Sequence, residues 1–499
     1  MRLLSTAAAP ALVFVTVWAF RFLSMGALEN DHFVALARAH QMLHGDWPVR
    51  DFFDPGQPLA YLTSAAAAAL FGPTLLTDVA LATTLLALAS VLTYTLAYRA
   101  SGSVLVATAA VAVGLAVSPR LYNAGKLLLP LGAVGLGWRY ADAPSVRRLA
   151  ALAVWSALAC LWRHDYAVYI AVPVMVLLML THDRTLARRR IVFYAGLCTA
   201  CLLPWFLYVQ WAGGLGAYLA SAVGFVVTEG QRTVAWWPDD VRQRSAFVAL
   251  MGIPIVAMVL ARRSRGPLTF AHIAYAAAIA LVANIVLLRD VIVTRMPDVI
   301  GLVAVLAAWI AGRAISRQLL RTAGIVALAL VSAFIVIRLA SQGYGMPTPA
   351  KVARRFATVS DLLRRGAPEV IPNRERLPLI RYLESCTPPT SRVLVSGFGP
   401  EIPVLAHRPF AGGLATWIPG YYTHPAEVER AAARLLHERV SIAVMLEGAA
   451  AFTESWPALA ADLRARHFVE RSWRLDGTTV VVWVPDDVAA RSPSAPPSC

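Results

Sequence analysis

Charge is scarce in this sequence. Only 15% of its 499 residues are Asp, Glu, Lys or Arg, against 58% apolar ones, and the mean hydropathy is +0.60. A soluble chain of this length would carry more charge, so the expected class is a polytopic α-helical membrane protein. Cysteine is also thin: five residues, spread too widely to imply a disulfide framework. Cys198 and Cys201 form a CxxC, but inside an apolar run, where they read as small core residues. The histidines, among them 32, 164, 182, 272, 407 and 424, have no metal-ligand spacing, so no zinc site is expected. GFGPE at 397–401 lacks the G-x-G-x-x-G spacing and runs into a proline, which argues against a nucleotide loop.

Acidic residues are few as well, 29 against 45 basic ones, giving a net charge of +16. That excess does not point to nucleic acid. The arginines cluster in short loops between apolar runs, as at Arg147-Arg148, Arg184 with Arg188 to Arg190, Arg262-Arg263 with Arg265, and Arg313, Arg317 and Arg321. Such clustering is orientation information, because cytoplasmic loops retain Lys and Arg.

What the chain does have is a series of apolar runs. They fall near 6–26, 74–98, 103–118, 126–141, 149–162, 166–181, 191–211, 245–261, 269–288, 297–312 and 322–340, about eleven crossings. The first continues past a signal-peptide length and reads as an uncleaved helix. Leu59–Phe71 is short and alanine-rich and reads as an interfacial or re-entrant helix. With that segment not crossing, the arginine-rich loops 99–102, 142–148, 182–190, 262–267 and 313–321 all face the cytoplasm. Loops 27–73, 119–125, 163–165, 212–244 and 289–296 face outside. If it crossed, every later loop would swap sides.

Beyond a Gly/Pro linker at 343–349 the periodicity changes to that of a soluble domain. Helices are expected at Arg376–Ser385 and Pro425–Arg439, and strands at Arg392–Ser396 and Ser441–Leu446. Phe468–Arg474 and Thr478–Val484 flank Asp476-Gly477, a hairpin signal. The expected organisation is a transmembrane domain over 1–340, a small C-terminal extracytoplasmic α/β domain over 341–487, and a Ser/Pro-rich disordered tail over 488–499.

The stretch ENDHFVALARAHQMLHGDWPVRDFFDPGQPLAY, residues 29–61, gathers Glu29, Asp31, Asp46, Asp51 and Asp54 directly after the first apolar run. Ionised groups at a bilayer boundary are costly unless they face water, a partner or a substrate. In an extended loop Glu29 and Asp31 could line one cleft; in a helix, two apart, they would not share a face. Asp51 and Asp54 bracket Phe52-Phe53 before a rigid Pro/Gly turn; Asp54 suits a supporting role at the site, a metal ligand or the N-cap of the next helix. Basic and aromatic residues recur in the other outer loops: Arg120, Tyr122 and Lys126 in SPRLYNAGK, Arg163, His164 and Asp165 in LWRHDYAVY, and Arg295 in VTRMPD, with Arg289-Asp290 as a structural pair. Each reads alone as an interfacial anchor and together as an anion site. Glu229, Trp236 and Trp237 lie in the loop 213–240, where the tryptophans read as belt anchors or as a sugar-stacking cover.

The order of these elements, an acidic pair just past the first span, then GDWP, then DFFDPGQPL, resembles the first external loop of GT-C-fold glycosyltransferases. The resemblance is to the branch that includes protein O-mannosyltransferases and lipid A aminoarabinose transferases. The resemblance is strongest over 1–300. It implies a multi-pass enzyme of the inner membrane that moves a sugar from a polyprenyl-phosphate donor to a lipid, glycan or protein acceptor on the outer face, with inversion. By the same resemblance Asp31 is the catalytic base, with Glu29 beside it and His32 adjacent, and Lys126, Arg120, Arg163 and Arg295 hold the donor phosphate. Asp51, Asp54, Tyr122, Asp165, Glu229, Trp236 and Trp237 are expected to support substrate. A divalent metal is left open. Where the family has a PPL-like element with a basic residue, this chain reads PGQPL without one. The rival readings are a flippase or transporter of lipid-linked sugars, and a non-catalytic envelope assembly protein. Against the first, no internal repeat is visible and the charges cluster at one face.

Overall fold

The computed structural model describes residues 2–118, 120–231, 240–264, 268–285, 292–315, 326, 329–330, 349–418, 425–475 and 478–491. It divides into two compact units. One comprises Met1–Ser24, Val79–Leu207 and Glu229–Ala357; the other comprises Met25–Asp78, Tyr208–Thr228 and Thr358–Cys499.

The apolar runs fold as helices. In chain order these are α1 (Arg2–Leu23), α2 (Asn30–Leu43), α3 (Pro58–Phe71), α4 (Leu75–Ser101), α5 (Val104–Val117), α6 (Ala124–Asp142) and α7 (Val146–Trp162). They continue with α8 (Asp165–Thr181), α9 (Arg184–Ala212), α10 (Leu215–Gln231), α11 (Val241–Ala261), α12 (Phe270–Asn284) and α13 (Ile292–Ile315). Every expected span up to residue 312 coincides with a helix, and the one at 322–340 lies largely outside the described residues. Among the described residues, four helical stretches are long and apolar enough by themselves to cross a membrane: Leu75–Ser101, Arg184–Ala212, Val241–Ala261 and Arg295–Ala314. The 14 residues of α3 reach about 21 Å, less than the roughly 30 Å hydrocarbon core. Length alone does not single it out, because α5 is no longer.

Within the first unit α6 is the buried axis, with Leu131, Ala133, Val134, Trp138 and Tyr140 fully covered. Its glycines allow close approach, as small residues do between membrane helices. A Cβ on Gly132 would lie 2.2 Å from the Trp155 ring of α7, and one on Gly137 2.1 Å from Tyr275 of α12. The same aromatics close the contact with hydrogen bonds, Trp155 Nε1 to the Leu129 carbonyl (2.9 Å) and Tyr275 Oη to that of Ala133 (3.1 Å). On α9, by contrast, Val192, Leu203, Leu207 and Trp211 are exposed, an apolar surface that needs lipid to cover it.

The second unit holds a four-stranded sheet of β1 (Arg392–Ser396), β2 (Val440–Met445), β3 (Phe468–Leu475) and β4 (Thr478–Pro485), in the order β1-β2-β4-β3. β1 and β2 are parallel, and β4 runs antiparallel to both of its neighbours. The hairpin pairs Leu475 with Thr478, as expected; Asp476 and Gly477 lie outside the described residues. Helices α14 (Pro349–Arg364), α15 (Leu377–Cys386), α16 (Glu401–Leu405), α17 (Pro425–Leu435), α18 (Ala449–Ser455), α19 (Pro457–Ala465) and α20 (Asp486–Arg491) complete the chain.

Alternation along the strands sends side chains to two cores. Leu394, Ala443, Met445 and Trp483 pack with Trp417, Phe452, Trp456 and Leu459 on one face. Val393, Val395, Ile442, Val444 and Trp473 pack with Leu379, Ile380 and Leu383 of α15 on the other. Cys386, at the end of α15, is disulfide-bonded, and Cys160, Cys198 and Cys201 are free thiols.

The acidic segment is tied into this sheet. One amide of α2 makes two backbone bonds: Gln41 Oε1 accepts from Phe410 N (2.9 Å) and its Nε2 donates to Phe410 O (3.1 Å). Asp46 accepts from both Nη atoms of Arg392, at 2.6 and 3.0 Å. Phe53 N donates to Gly413 O at 2.9 Å, and the Phe53 ring joins the first core.

Candidate functional site

Two charged constellations stand out, one in each unit. In the sheet-bearing unit, Glu29 is the N-cap residue of α2 (φ −82°, ψ 148°) and Asp31 lies in its first turn. An extended loop entry is therefore not what forms. The segment turns helical because His32, Phe33, Leu36, Ala37, His40 and Gln41 repeat at helical spacing and bury one face. A carboxylate in a first helical turn is favoured by the positive end of the helix dipole. Glu29 and Asp31 are both exposed. His32 points away from solvent and meets Asp78, Nε2 to Oδ2 2.5 Å, and Ser64 Oγ donates to the other oxygen of Asp78 at 3.2 Å.

The remaining acids of this segment serve the fold. Asp54 is buried; its Oδ1 accepts from the backbone N of Gly56 and of Gln57, both at 2.8 Å, and its Oδ2 accepts from Tyr218 Oη at 2.9 Å. It braces the turn ahead of α3, whose N-cap is Gln57 and not Asp54. Asp51 accepts from Trp47 N (2.8 Å) and from Arg50 Nε (2.7 Å). Burial, more than any neighbouring charge, pushes His40 down to about 4 and lowers His44, so both imidazoles are neutral at neutral pH.

In the helical unit, the N-terminus of α6, the α7–α8 connection and the N-terminal part of α13 converge on a cleft lined by Lys126, Arg163, Asp165, Tyr166, Arg295 and Asp298. Lys126 Nζ meets Asp298 Oδ2 at 2.9 Å, and Asn123 Nδ2 donates to both oxygens of Asp298 at 2.9 and 3.1 Å. Arg163 pairs with Asp165 at 2.8 Å. Three cations face two carboxylates here, at helix ends whose backbone N–H groups already favour an anion. The arrangement suits a phosphate that displaces or bridges between the existing carboxylate partners.

Lys126, Arg163, Asp165 and Arg295 are thus brought together. Arg120 and Tyr122 are not among the residues lining this cleft and pair with each other instead, the guanidinium carbon 5.5 Å from the ring centroid. Glu229 is in α10, inside a stretch expected to be loop. Trp236, Trp237, Arg289 and Asp290 lie outside the described residues. Sequence reasoning did not single out Asp298, Asn123 or Tyr166. The available signal was the acid closing VTRMPD, an ionisable group inside an otherwise apolar helix. Among the described residues no three His, Cys, Asp or Glu side chains gather as a metal-holding group.

No protein-family model and no curated protein sequence matches the chain. Solved structures do. The chain is similar to ArnT from Cupriavidus metallidurans bound to undecaprenyl phosphate, with a TM-score of 0.55 and 15% identity over 96% of this chain and 98% of that one. The apo form of that ArnT gives 0.50 and 16% over 97% and 98%. The Archaeoglobus fulgidus oligosaccharyltransferase, in complex with Zn and sulfate, gives 0.51 and 13% over 95% of this chain and 72% of that one. At these identities the likeness is one of fold. It bears out the resemblance read from the first loop: this multi-pass membrane protein has the GT-C fold.

Proposed function

We propose that the protein is a membrane glycosyltransferase that moves a sugar from a polyprenyl-phosphate donor to a lipid, glycan or protein acceptor on the outer face of the cytoplasmic membrane. The observation that carries this reading is the cleft of Lys126, Arg163 and Arg295 at converging helix ends. A fold neighbour bound to undecaprenyl phosphate supports a lipid-phosphate ligand for such a cleft.

In the proposed reaction Asp31 takes the proton of the acceptor hydroxyl or amine as that atom attacks the anomeric carbon. The bond from the anomeric carbon to the phosphate oxygen breaks, and the electron pair leaves with the polyprenyl phosphate. Fixed cations stabilise the charge that develops on the phosphate. Glu29, at the cap position, holds Asp31 in register. A zinc-bound fold neighbour raises the question of a metal. Two exposed carboxylates do not by themselves make a metal cage, so no step is routed through one.

The test is a deletion strain whose envelope glycoconjugates are profiled by mass spectrometry. One species should lose a sugar and regain it with the wild-type gene. Asp31→Asn keeps shape but not basicity, and loss of a general base lowers the rate by about 10²–10⁴. It should therefore restore little. Full restoration by both Asp31→Asn and Glu29→Gln would remove the transferase reading.

A further inference from the structure

A second cavity, of about 350 Å³, lies wholly within the sheet-bearing unit; it shares only His40 with the α2 segment described above and nothing with the cation cleft. That size falls in the range of small-molecule sites, about 300–1,000 Å³. Its polar lining is Arg364, Arg365, Arg381, Glu384, His40 and His407. The three arginines are exposed and form a rim. Arg365 is offset by Asp361, whereas Arg364 and Arg381 have no ion pair among the described residues, leaving the rim net positive over Glu384.

The floor is different. His40 is 9% exposed, lines the cavity, and its buried Nε2 has no hydrogen-bond partner among the described residues. An unpartnered buried polar atom is destabilising unless something satisfies it. His407 is held with φ at 50°, a left-handed conformation uncommon for a side-chain-bearing residue and one that clusters at ligand sites. Much of the remaining lining is apolar, with Ile371, Leu377, Ile380, Val404 and Leu405. Pro73, Thr74 and Leu75 also line the cavity, and Leu75 opens a 27-residue helix apolar enough to cross a membrane. The cavity therefore includes the first residue of an apolar helix in its lining, with exposed cations, an unfilled hydrogen-bond position and hydrocarbon-compatible side chains.

We infer that this cavity holds the phosphate-bearing headgroup of an anionic membrane lipid, with Arg364 and Arg381 on the phosphate, His40 bonded to the headgroup's polar end and the Ile371–Leu405 wall against the first carbons of its chains. The site goes beyond the transfer reaction and has no step in it. Anionic lipid would occupy it whether or not donor is present.

The test uses the full-length protein in zwitterionic detergent, titrated with dihexanoyl phosphatidylglycerol in a calorimeter. Binding should be saturable. Arg364→Gln with Arg381→Gln should weaken it by about tenfold or more for each arginine, the usual worth of a charge-assisted hydrogen bond. Because both side chains are exposed, the variant should keep its melting temperature. Leu405→Trp, which fills the cavity from the apolar side, should abolish binding without touching a charge. Inorganic phosphate at the lipid's concentration should not displace it. Unchanged affinity in the double arginine variant overturns the site, and equal displacement by inorganic phosphate overturns the lipid as its occupant.

Discussion

Removing Asp298 tests whether the cation cleft is built for a phosphate or only for its own ion pairs. The carboxylate is 4% exposed and Lys126 16%, and Asp298 accepts from Lys126 and from Asn123. Asp298→Ala leaves a buried ammonium without its partner, a change that costs about 3–5 kcal/mol. At about 2 °C per kcal/mol for a unit of this size, the melting temperature should fall by roughly 6–10 °C. Asp298→Asn keeps an acceptor in place and should fall by about half as much. The decisive arm adds undecaprenyl phosphate to the purified protein and repeats the melt. If Lys126 binds the phosphate, the alanine variant should regain much of the loss. Ligand at a hundredfold over Kd contributes about 2.7 kcal/mol. Wild type should gain less, because its own carboxylate competes for the same ammonium. A variant that melts like wild type, or that gains no more from the lipid than wild type does, refutes the reasoning.

Three further outcomes are expected. Buried His40 titrates near 4 against about 6.5 in the unfolded chain. Its contribution is whole above pH 6.5 and is lost as pH falls toward 4, up to about 3 kcal/mol; His40→Gln should flatten acid denaturation across that window, and an unaltered profile would count against it. Gly413 has φ 75°, and a Cβ there would sit 2.7 Å from the Asp51 carbonyl. Gly413→Ala should destabilise the sheet-bearing unit by more than about 1 kcal/mol by chemical denaturation, and a neutral result would show that the loop can shift. Single cysteines at Ser145 and Ser264 should be labelled only from the cytoplasmic side, as the arginine-rich loops require; outside labelling of either reverses the topology.

The elements that could be read from the sequence were those whose signal is local. β1 forms over the residues expected of it, Arg392–Ser396, because a short apolar run between turn residues has few alternatives. The apolar helices are legible for the same reason. α2 was harder, since Glu29, Asn30, Asp31 and His32 present four polar residues in a row. Only the buried face at positions 33, 36, 37, 40 and 41 makes it a helix, and two of those residues are themselves polar. The partnerships that fix the candidate site were beyond sequence reading. Asp46 finds Arg392 across 346 positions, and Lys126 finds Asp298 across 172. No local pattern encodes such a meeting. The roles of Asp51 and Asp54 follow suit: both residues fit a catalytic loop by type, and it is their backbone and tyrosine partners that make them turn braces.

The double hydrogen bond between Gln41 and Phe410, with the Asp46–Arg392 fork beside it, has a consequence for how this protein can be dissected. A fragment beginning near residue 358 would carry every strand of the sheet yet lack the helix that completes its β1 edge. The Phe410 backbone groups would lose their amide, Arg392 would lose its carboxylate fork and keep the Phe410 carbonyl at 3.1 Å and Glu438 at 3.7 Å, and the core around Trp417 would lose the ring of Phe53. Residues 25–78 must travel with the sheet in any soluble excision or domain exchange between related chains. A hybrid that swaps the C-terminal part alone inherits a severed seam, and its failure would say nothing about the chemistry of either parent.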